Sequence, residues 1–246
     1  MRSRPERAGG GAGRGRDEPM RVGLLVPSSN SVLEAALWRR LPRWATLHAA
    51  RLFVTESSAA GLRGIHAAIP EAARLLATVR PHLIVVGCTS VSGLDEGALE
   101  AKLAPEIEAA TGATVVTVLP GVVAALQATG CRRVVMVAPH GADIDEVVVH
   151  GLEAAGLAVR DVHSMGIGEN FALGRVPPRE IVRFVSERVD PPLGDDALFL
   201  TCTNFRSVEA LPALRRRYGP RVLSSVDVLI DRTLSHLQRE RGSHGT

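Results

Sequence analysis

Two short motifs in this sequence each place a cysteine directly after an apolar run. GCTS contains Cys88 and ends at Ser90, and TCTN contains Cys202 and ends at Asn204. A thiolate is a strong nucleophile, and in a dry and well-ordered site it also serves as a base. Hydroxyl and amide side chains follow both cysteines, so each motif could hold a small anion beside a reactive sulfur. The two motifs therefore predict cysteine chemistry on a small anion.

The remaining residues argue against several other chemistries. The third cysteine, Cys131, follows Gly130 ahead of a strand, and we interpret it as a packing residue. No CxxC spacing occurs, which makes a disulfide framework or a zinc site a poor interpretation. Lys102 is the only lysine, which leaves almost no place for a Schiff base. GxGxxG is absent as well, so we do not expect dinucleotide binding.

The bulk composition is that of an ordinary folded protein. Of the 246 residues, 46% are hydrophobic and 22% are charged. No apolar run reaches the roughly 18 residues that a membrane span needs, and no signal segment is present, so we expect a cytoplasmic protein. The net charge is +3, the basic residues are scattered and aromatic residues make up 3%. These features do not suit a nucleic-acid partner.

Short apolar runs alternate with amphipathic stretches along the chain, which predicts parallel sheets covered by helices on both faces. The predicted strands are Val22–Val26, Ala49–Val54, Leu83–Gly87, Thr114–Leu119, Val134–Val137, Ala158–Ser164, Ala197–Thr201 and Val222–Ser225. The predicted helices lie near Ser31–Arg40, Ile69–Val79, Gly97–Ala110, Gly121–Thr129, Ile144–Ala155, Pro178–Arg188, Val208–Tyr218 and Val226–Arg239.

The two halves of the chain repeat one pattern. VGLLVPSSN, from Val22, is similar to VVMVAPHGAD, from Val134, and LIVVGCTS is similar to LFLTCTN. The step from the proline turn to the cysteine is 61 residues in the first half (27 to 88) and 63 in the second (139 to 202). A third pair joins TVVTVLPGVVAAL to RVLSSVDVLIDRTL. Three similarities in the same order predict two copies of one α/β unit.

We therefore predict an α/β fold of two pseudo-symmetric, doubly wound lobes with the active site in the cleft between them. Residues 1–19 should form a disordered tail, and the position of Met20 suggests the biological start. Lobe 1 should span 20–120 and be completed by about 221–240, and lobe 2 should span 121–220. Ligands bind beyond the carboxyl ends of strands in such sheets, so each lobe should present one cysteine to the cleft.

PSSN, GCTS and TCTN, in this order, resemble the maleate cis–trans isomerase and arylmalonate decarboxylase branch of the aspartate/glutamate racemase superfamily. The resemblance covers nearly everything from Arg21 to about Leu237. It implies two lobes that close over a small carboxylate or dicarboxylate, without metal, pyridoxal phosphate or nicotinamide. It also implies that Cys88 and Cys202 are the catalytic pair. Arylmalonate decarboxylases carry a glycine where Cys88 stands, so two thiols favour isomerase or racemase chemistry.

The same resemblance implies a set of substrate-binding residues: Asn30, Thr89, Ser90, Asn170, Thr203 and Asn204. His140 stands where the family usually has a tyrosine; it could still donate a hydrogen bond, so we include it in the set. Other interpretations stay open for some positions. Asn30 in PSSN could simply cap a helix. Asp143 and Asp145 are expected to complement a helix dipole rather than to catalyse.

The leading functional hypothesis is a cofactor-independent, two-cysteine isomerase of a small dicarboxylate. The alternatives are an amino-acid racemase of the aspartate/glutamate type, a decarboxylase of a disubstituted malonate, and a module that only binds a small acid. The exact substrate and the oligomeric state, a homo-oligomer included, stay open.

Overall fold

The computed structural model describes residues 18–94 and 99–243 of the chain. The tail predicted over 1–19 therefore lies almost wholly outside the described residues, and so do the first two residues of the helix predicted near Gly97–Ala110. The first strand begins at Met20. Within these ranges, no helix combines the length and the apolarity that crossing a membrane requires.

The first half of the chain forms a four-stranded parallel sheet. Its strands are β1 (Met20–Pro27), β2 (Ala45–Leu52), β3 (Leu83–Val86) and β4 (Thr114–Thr117), in the order β2-β1-β3-β4. The register places Leu24 of β1 beside Ala49 on one side and Val85 on the other. All four residues of β3 are buried, which explains the continuous apolar run in the sequence.

The second half repeats this sheet. Its strands are β5 (Arg133–Ala138), β6 (Ala158–Ser164), β7 (Ala197–Leu200) and β8 (Val222–Ser224), in the order β6-β5-β7-β8. Both sheets thus have the same order when the strands of each half are counted from one to four. The fold predicted from the internal repeat, two parallel α/β lobes, is confirmed.

Ten α-helices connect and cover the strands over the described residues. They are α1 (Leu33–Arg40), α2 (Ala59–Ala77), α3 (Thr89–Gly93), α4 (Ala104–Thr111), α5 (Leu119–Ala128), α6 (Ala142–Ala154), α7 (Asn170–Leu173), α8 (Pro178–Ser186), α9 (Ser207–Tyr218) and α10 (Ser225–Ser243). A π-helical turn, Leu99–Leu103, precedes α4. The sequence analysis missed α3 and α7, because five and four residues are too few to show a helical period.

The assignment of 221–240 to lobe 1 was wrong for the strand of that segment. β8 pairs with β7 in the second sheet, as β4 pairs with β3 in the first. The helix that follows does reach lobe 1, because α10 packs against α1, β3 and β4. Conversely, α5 follows β4 and packs against α6 and β8 of the second lobe. Each lobe thus extends its last helix to the other.

This exchange builds one apolar core between the inner faces of the sheets. It joins Leu24 and Val85 of the first sheet to Met136 and Phe199 of the second, and Leu229 of α10 lies in the same cluster. The next residue along each strand points to the opposite face, as the strand period of two requires. Two outer cores result, one under α2 and α4 and one under α8 and α9.

The lobes also meet where α3 approaches α6. A Cβ atom added to Gly93 of α3 would lie 2.7 Å from the backbone oxygen of Val147 in α6. Backbone cannot move aside as a side-chain end can, so this contact requires glycine.

We predict that Gly93→Ala lowers the free energy of unfolding by about 1–3 kcal/mol, because the added methyl must push α3 and α6 apart. Urea denaturation followed by circular dichroism measures the change. Gly64→Ala in α2 is the matched control, since a Cβ atom there meets nothing within 4 Å. The control should be neutral or stabilising by up to about 1 kcal/mol. Equal stabilities for the two variants would contradict a tight contact between the lobes.

Candidate active site

The loops that follow the two central strands of each sheet converge on one cavity. Cys88 follows β3 and Cys202 follows β7, while the turns after β1 and β5 carry Asn30 and His140. Every residue that the sequence analysis placed in the site lines this cavity: Asn30, Thr89, Ser90, Cys88, His140, Asn170, Cys202, Thr203 and Asn204. The functional roles assigned to these residues remain predictions.

Cys88 stands between β3 and α3. The preceding residue is glycine because a Cβ atom at Gly87 would lie 2.3 Å from Leu33 Cδ2 and 3.3 Å from the backbone oxygen of Leu25. Burial raises the pKa of the Cys88 thiol to about 11, and the backbone N–H groups of Val91 and Ser90 act in the opposite direction. The thiol is therefore protonated at neutral pH, although donors stand ready to stabilise its thiolate.

Cys202 has a strained backbone. Its φ of 81° lies in the left-handed region, which costs a non-glycine residue roughly 1–3 kcal/mol and is concentrated at functional sites. The backbone N–H of Asn204 donates to Cys202 Sγ at 3.3 Å. Burial raises the pKa of this thiol to about 12, and the charges of Cys88 and Asp145 add to the rise. The two sulfurs thus share one cavity and influence each other's ionisation.

Thr203 joins the two cysteine loops. Its hydroxyl donates to the backbone oxygen of Gly87 at 2.8 Å and accepts from Asn30 Nδ2 at 3.3 Å. Asn30 also accepts, through Oδ1, from the backbone N–H groups of Val32 and Leu33 at the start of α1. Asn30 is therefore a helix-capping residue and a cavity residue together.

Asn204 and Asn170 form a second link between the lobes. Asn204 Oδ1 accepts from the backbone N–H of Ser31 at 3.0 Å, and its Nδ2 donates to the backbone oxygen of Asn170 at 2.6 Å. Asn170 Nδ2 in turn donates to Ser29 Oγ at 2.6 Å. These amides hold lobe 2 against the PSSN turn of lobe 1, a structural role that the sequence analysis did not anticipate.

Two predicted binding residues keep polar atoms without a hydrogen-bond partner among the described residues. Thr89 Oγ1 and His140 Nε2 are such atoms, and both side chains are about 2% exposed. A buried polar atom that lacks a partner costs free energy, so it marks a place where a ligand can bind.

Several cavity residues were missed from the sequence. An aliphatic wall is formed by Val54, Leu62, Ile65, Ile144 and Leu173, with Glu56 and Ser57 beside it. Leu62 and Ile65 lie in the first half of α2, whose predicted start was ten residues too late. Ser58 caps this helix, with Ser58 Oγ accepting from the backbone N–H of Gly61 at 3.2 Å, and that cap was the available signal.

The sequence analysis assigned Asp145 only a helix-dipole role and did not predict its contact with His140. Asp145 lies in the first turn of α6, as the dipole interpretation expects, but it is buried and its Oδ1 lies 2.6 Å from His140 Nδ1. Over the residues that the structure describes, no cluster of three or more His, Cys, Asp or Glu side chains could hold a metal ion.

A duplicated parallel α/β fold with one cysteine at the equivalent strand end of each lobe defines a two-lobed, paired-cysteine class of protein. The family model described as arylmalonate decarboxylase matches residues 22–245 of the chain. The chain therefore belongs to the arylmalonate decarboxylase family, and the branch expected from the three motifs is confirmed.

Curated relatives carry two activities. The chain is 26% identical over 214 residues to a maleate isomerase of Nocardia farcinica. The match covers 83% of this chain and 85% of the relative. It is 25% identical over 204 residues to an arylmalonate decarboxylase of Bordetella bronchiseptica, with coverage of 83% and 85%.

Solved structures share the fold. One is a cysteine-to-serine mutant of the Nocardia farcinica maleate cis–trans isomerase with a covalently bound succinylcysteine intermediate. It superposes with a TM-score of 0.79 at 26% identity, and the match covers 89% of this chain and 93% of that chain. A maleate isomerase of Pseudomonas putida S16 with maleate superposes with a TM-score of 0.81 at 21% identity, with coverage of 90% and 93%.

We predict that Thr203→Val lowers the free energy of unfolding by about 1–3 kcal/mol, because the Gly87 oxygen and Asn30 Nδ2 lose their buried partner. Thr203→Ser keeps the hydroxyl and should lose only about 0.8 kcal/mol for the methyl group. Urea denaturation of both variants measures the difference. Equal losses of unfolding free energy in the two variants would show that Thr203 stabilises the protein by packing and not by its hydrogen bonds.

Proposed function

We propose that this chain is a cofactor-independent cis–trans isomerase of a small dicarboxylate of the maleate type. The observation that carries the proposal is the pair of thiols at equivalent strand ends of one cavity, with a maleate isomerase among the relatives that match over most of the chain. The proposal includes a cytoplasmic enzyme that needs no metal and has no nucleic-acid partner.

The first half of the reaction is a conjugate addition. The Cys88 thiolate forms a C–S bond to one alkene carbon, and the alkene electron pair moves toward the carboxylate on the neighbouring carbon. The Cys202 thiol then transfers its proton to that neighbouring carbon. The product of this half is a succinyl thioether on Cys88, in which the central carbon–carbon bond is single and can rotate.

The second half reverses these steps in the rotated conformer. The Cys202 thiolate removes a proton from the carbon it protonated, the double bond re-forms as trans, and the C–S bond breaks. Cys88 leaves as the thiolate, so atoms and charges balance without a co-reactant.

The pKa shifts support this division of roles. Burial and nearby negative charge both raise the pKa of Cys202, which suits a proton donor that must stay protonated until the addition. The pKa of Cys88 reaches about 11, and the backbone N–H groups of Val91 and Ser90 lower it. A nucleophile benefits from donors that stabilise its anion. The aliphatic wall keeps water away from the reacting carbon.

Racemisation of an amino acid is the second candidate, because it also uses two thiols on opposite faces of one substrate. Decarboxylation of a disubstituted malonate is less favoured, since the resemblance places a glycine of those enzymes at Cys88. Proton NMR in deuterium oxide separates the three reactions with maleate, aspartate and an arylmalonate. The readouts are the olefinic shift, deuteration at the α-carbon and loss of carbon dioxide. We expect the olefinic signal of maleate to be replaced by that of fumarate.

Replacing either cavity cysteine by alanine should lower kcat/KM for maleate by at least about a thousandfold, as expected for loss of a nucleophile or a proton donor. Cys131→Ala is the control and should keep wild-type activity, because Cys131 contacts the backbone oxygen of Leu126 away from the cavity. Retained turnover in Cys88→Ala or in Cys202→Ala would refute the two-thiol mechanism.

Cys202→Ser should trap the thioether of the first half, because solvent can slowly supply the proton to the carbanion while no thiolate at residue 202 remains to remove it. After incubation with maleate, we expect intact-mass spectrometry to show one added maleate and peptide mapping to place it on Cys88. An adduct on residue 131, or none at all, would contradict the assignment of Cys88 as the nucleophile.

The pH dependence follows from the raised pKa of Cys88. A thiol with a pKa of about 11 is mostly protonated at neutral pH, so its thiolate fraction grows as the pH rises. We expect kcat/KM, which reports the free enzyme, to increase roughly tenfold per pH unit between about pH 7 and pH 9. A flat profile over this interval would show that thiolate formation on Cys88 does not limit the reaction.

A further inference from the structure

The cavity has few sources of positive charge for a dicarboxylate. None of the described residues that line it is arginine or lysine, and Glu56 adds an acidic side chain to the wall. Transfer of a carboxylate from water into a site of this kind is costly unless a cation or strong donors compensate it. Among the described residues that line the cavity, His140 is the one whose side chain can carry a positive charge.

His140 is held by a buried carboxylate. His140 Nδ1 lies 2.6 Å from Asp145 Oδ1, and both side chains are at least 96% buried. The two atoms lie at ion-pair distance, with no hydrogen bond between them. The other oxygen of Asp145 accepts from Ser164 Oγ. A hydroxyl donor alone leaves a buried carboxylate without an opposite charge, which is strongly unfavourable, whereas an imidazolium beside it supplies that charge.

The second ring nitrogen of His140 is free for a ligand. Nε2 is buried and has no hydrogen-bond partner among the described residues, neither sulfur included. His140 lines the cavity together with both cysteines. An imidazolium donates from both nitrogens, so Nε2–H is available to an anion while Asp145 occupies the side of Nδ1.

We propose that His140 is the carboxylate anchor of this enzyme: as the imidazolium it donates Nε2–H to one carboxylate of the substrate, and Asp145 is the residue that positions and charges it. The inference rests on the proposed function and adds the charge source and Asp145 to it.

An anchor differs from an acid–base group in the kinetic parameter that it controls. Binding that is equal in the ground state and the transition state changes KM and leaves kcat alone. We therefore expect His140→Phe to raise KM for maleate about 10–100-fold, the usual effect of a lost hydrogen bond to a charged group, with kcat changed less than about threefold. His140→Gln keeps an N–H donor and should recover part of the loss.

Succinate is the probe that does not require turnover, since it has no double bond to isomerise. Isothermal titration calorimetry should show a Kd for succinate about 10–100-fold weaker in His140→Phe, and an intermediate Kd in Asp145→Asn and His140→Gln. His140→Phe alone leaves Asp145 buried without a cation, so the double variant His140→Phe/Asp145→Asn is measured beside it. Urea denaturation checks that each variant is folded.

The outcomes separate this inference from the proposed function. The anchor is overturned if the folded double variant binds succinate with wild-type affinity, or if His140→Phe lowers kcat and leaves KM unchanged. In either case, maleate turnover by the wild type would still uphold the isomerase. If the wild type does not isomerise maleate but binds succinate, and the variants lose that binding, the anchor is supported and the isomerase is overturned. A wild type that does not bind succinate overturns the anchor.

Discussion

The site depends on hydrogen bonds that cross from one lobe to the other. Thr203 reaches the Gly87 oxygen next to Cys88, and Asn204 reaches the backbone N–H of Ser31. Thr203, Asn204 and Gly87 are buried, and an unpaired buried polar group is costly, so the lobes are kept in one relative position. The mutual placement of the two sulfurs follows from this constraint. A shared apolar core and the exchange of α5 and α10 act in the same direction.

Some polar groups of the cavity bind other protein groups, and others are available to bind a ligand. The amides of Asn30, Asn170 and Asn204 spend their donors or acceptors on protein partners. Thr89 Oγ1 and His140 Nε2 have no hydrogen-bond partner among the described residues, so both are available to a substrate. The resemblance places a tyrosine of the family near this position, and the charged histidine that we propose would replace that neutral donor by a cationic one. The difference would bear on substrate affinity more than on the type of reaction.

The two thiols are not equivalent, although the repeat makes their surroundings similar. Cys88 precedes a short helix whose first N–H groups face the sulfur, and it has an ordinary extended backbone. Cys202 has a left-handed backbone and receives one N–H, from Asn204. Its pKa is raised further by nearby negative charge. The repeat places two sulfurs at matching strand ends, and the loops around them give each sulfur different neighbours.

The amino-acid sequence alone determined the eight strands, the twofold repeat and the position of both cysteines at strand ends, because strand burial and local turns leave short-range patterns. It also identified nine residues that line one cavity. The tertiary structure decided the pairing of β8, the use of three asparagines to join the lobes and the contact of His140 with Asp145. Such contacts join residues as far apart as Asn30 and Thr203, which are separated by 173 positions, or depend on which side chains become buried. Local sequence patterns do not indicate these long-range contacts or this burial, because both arise only when the lobes pack.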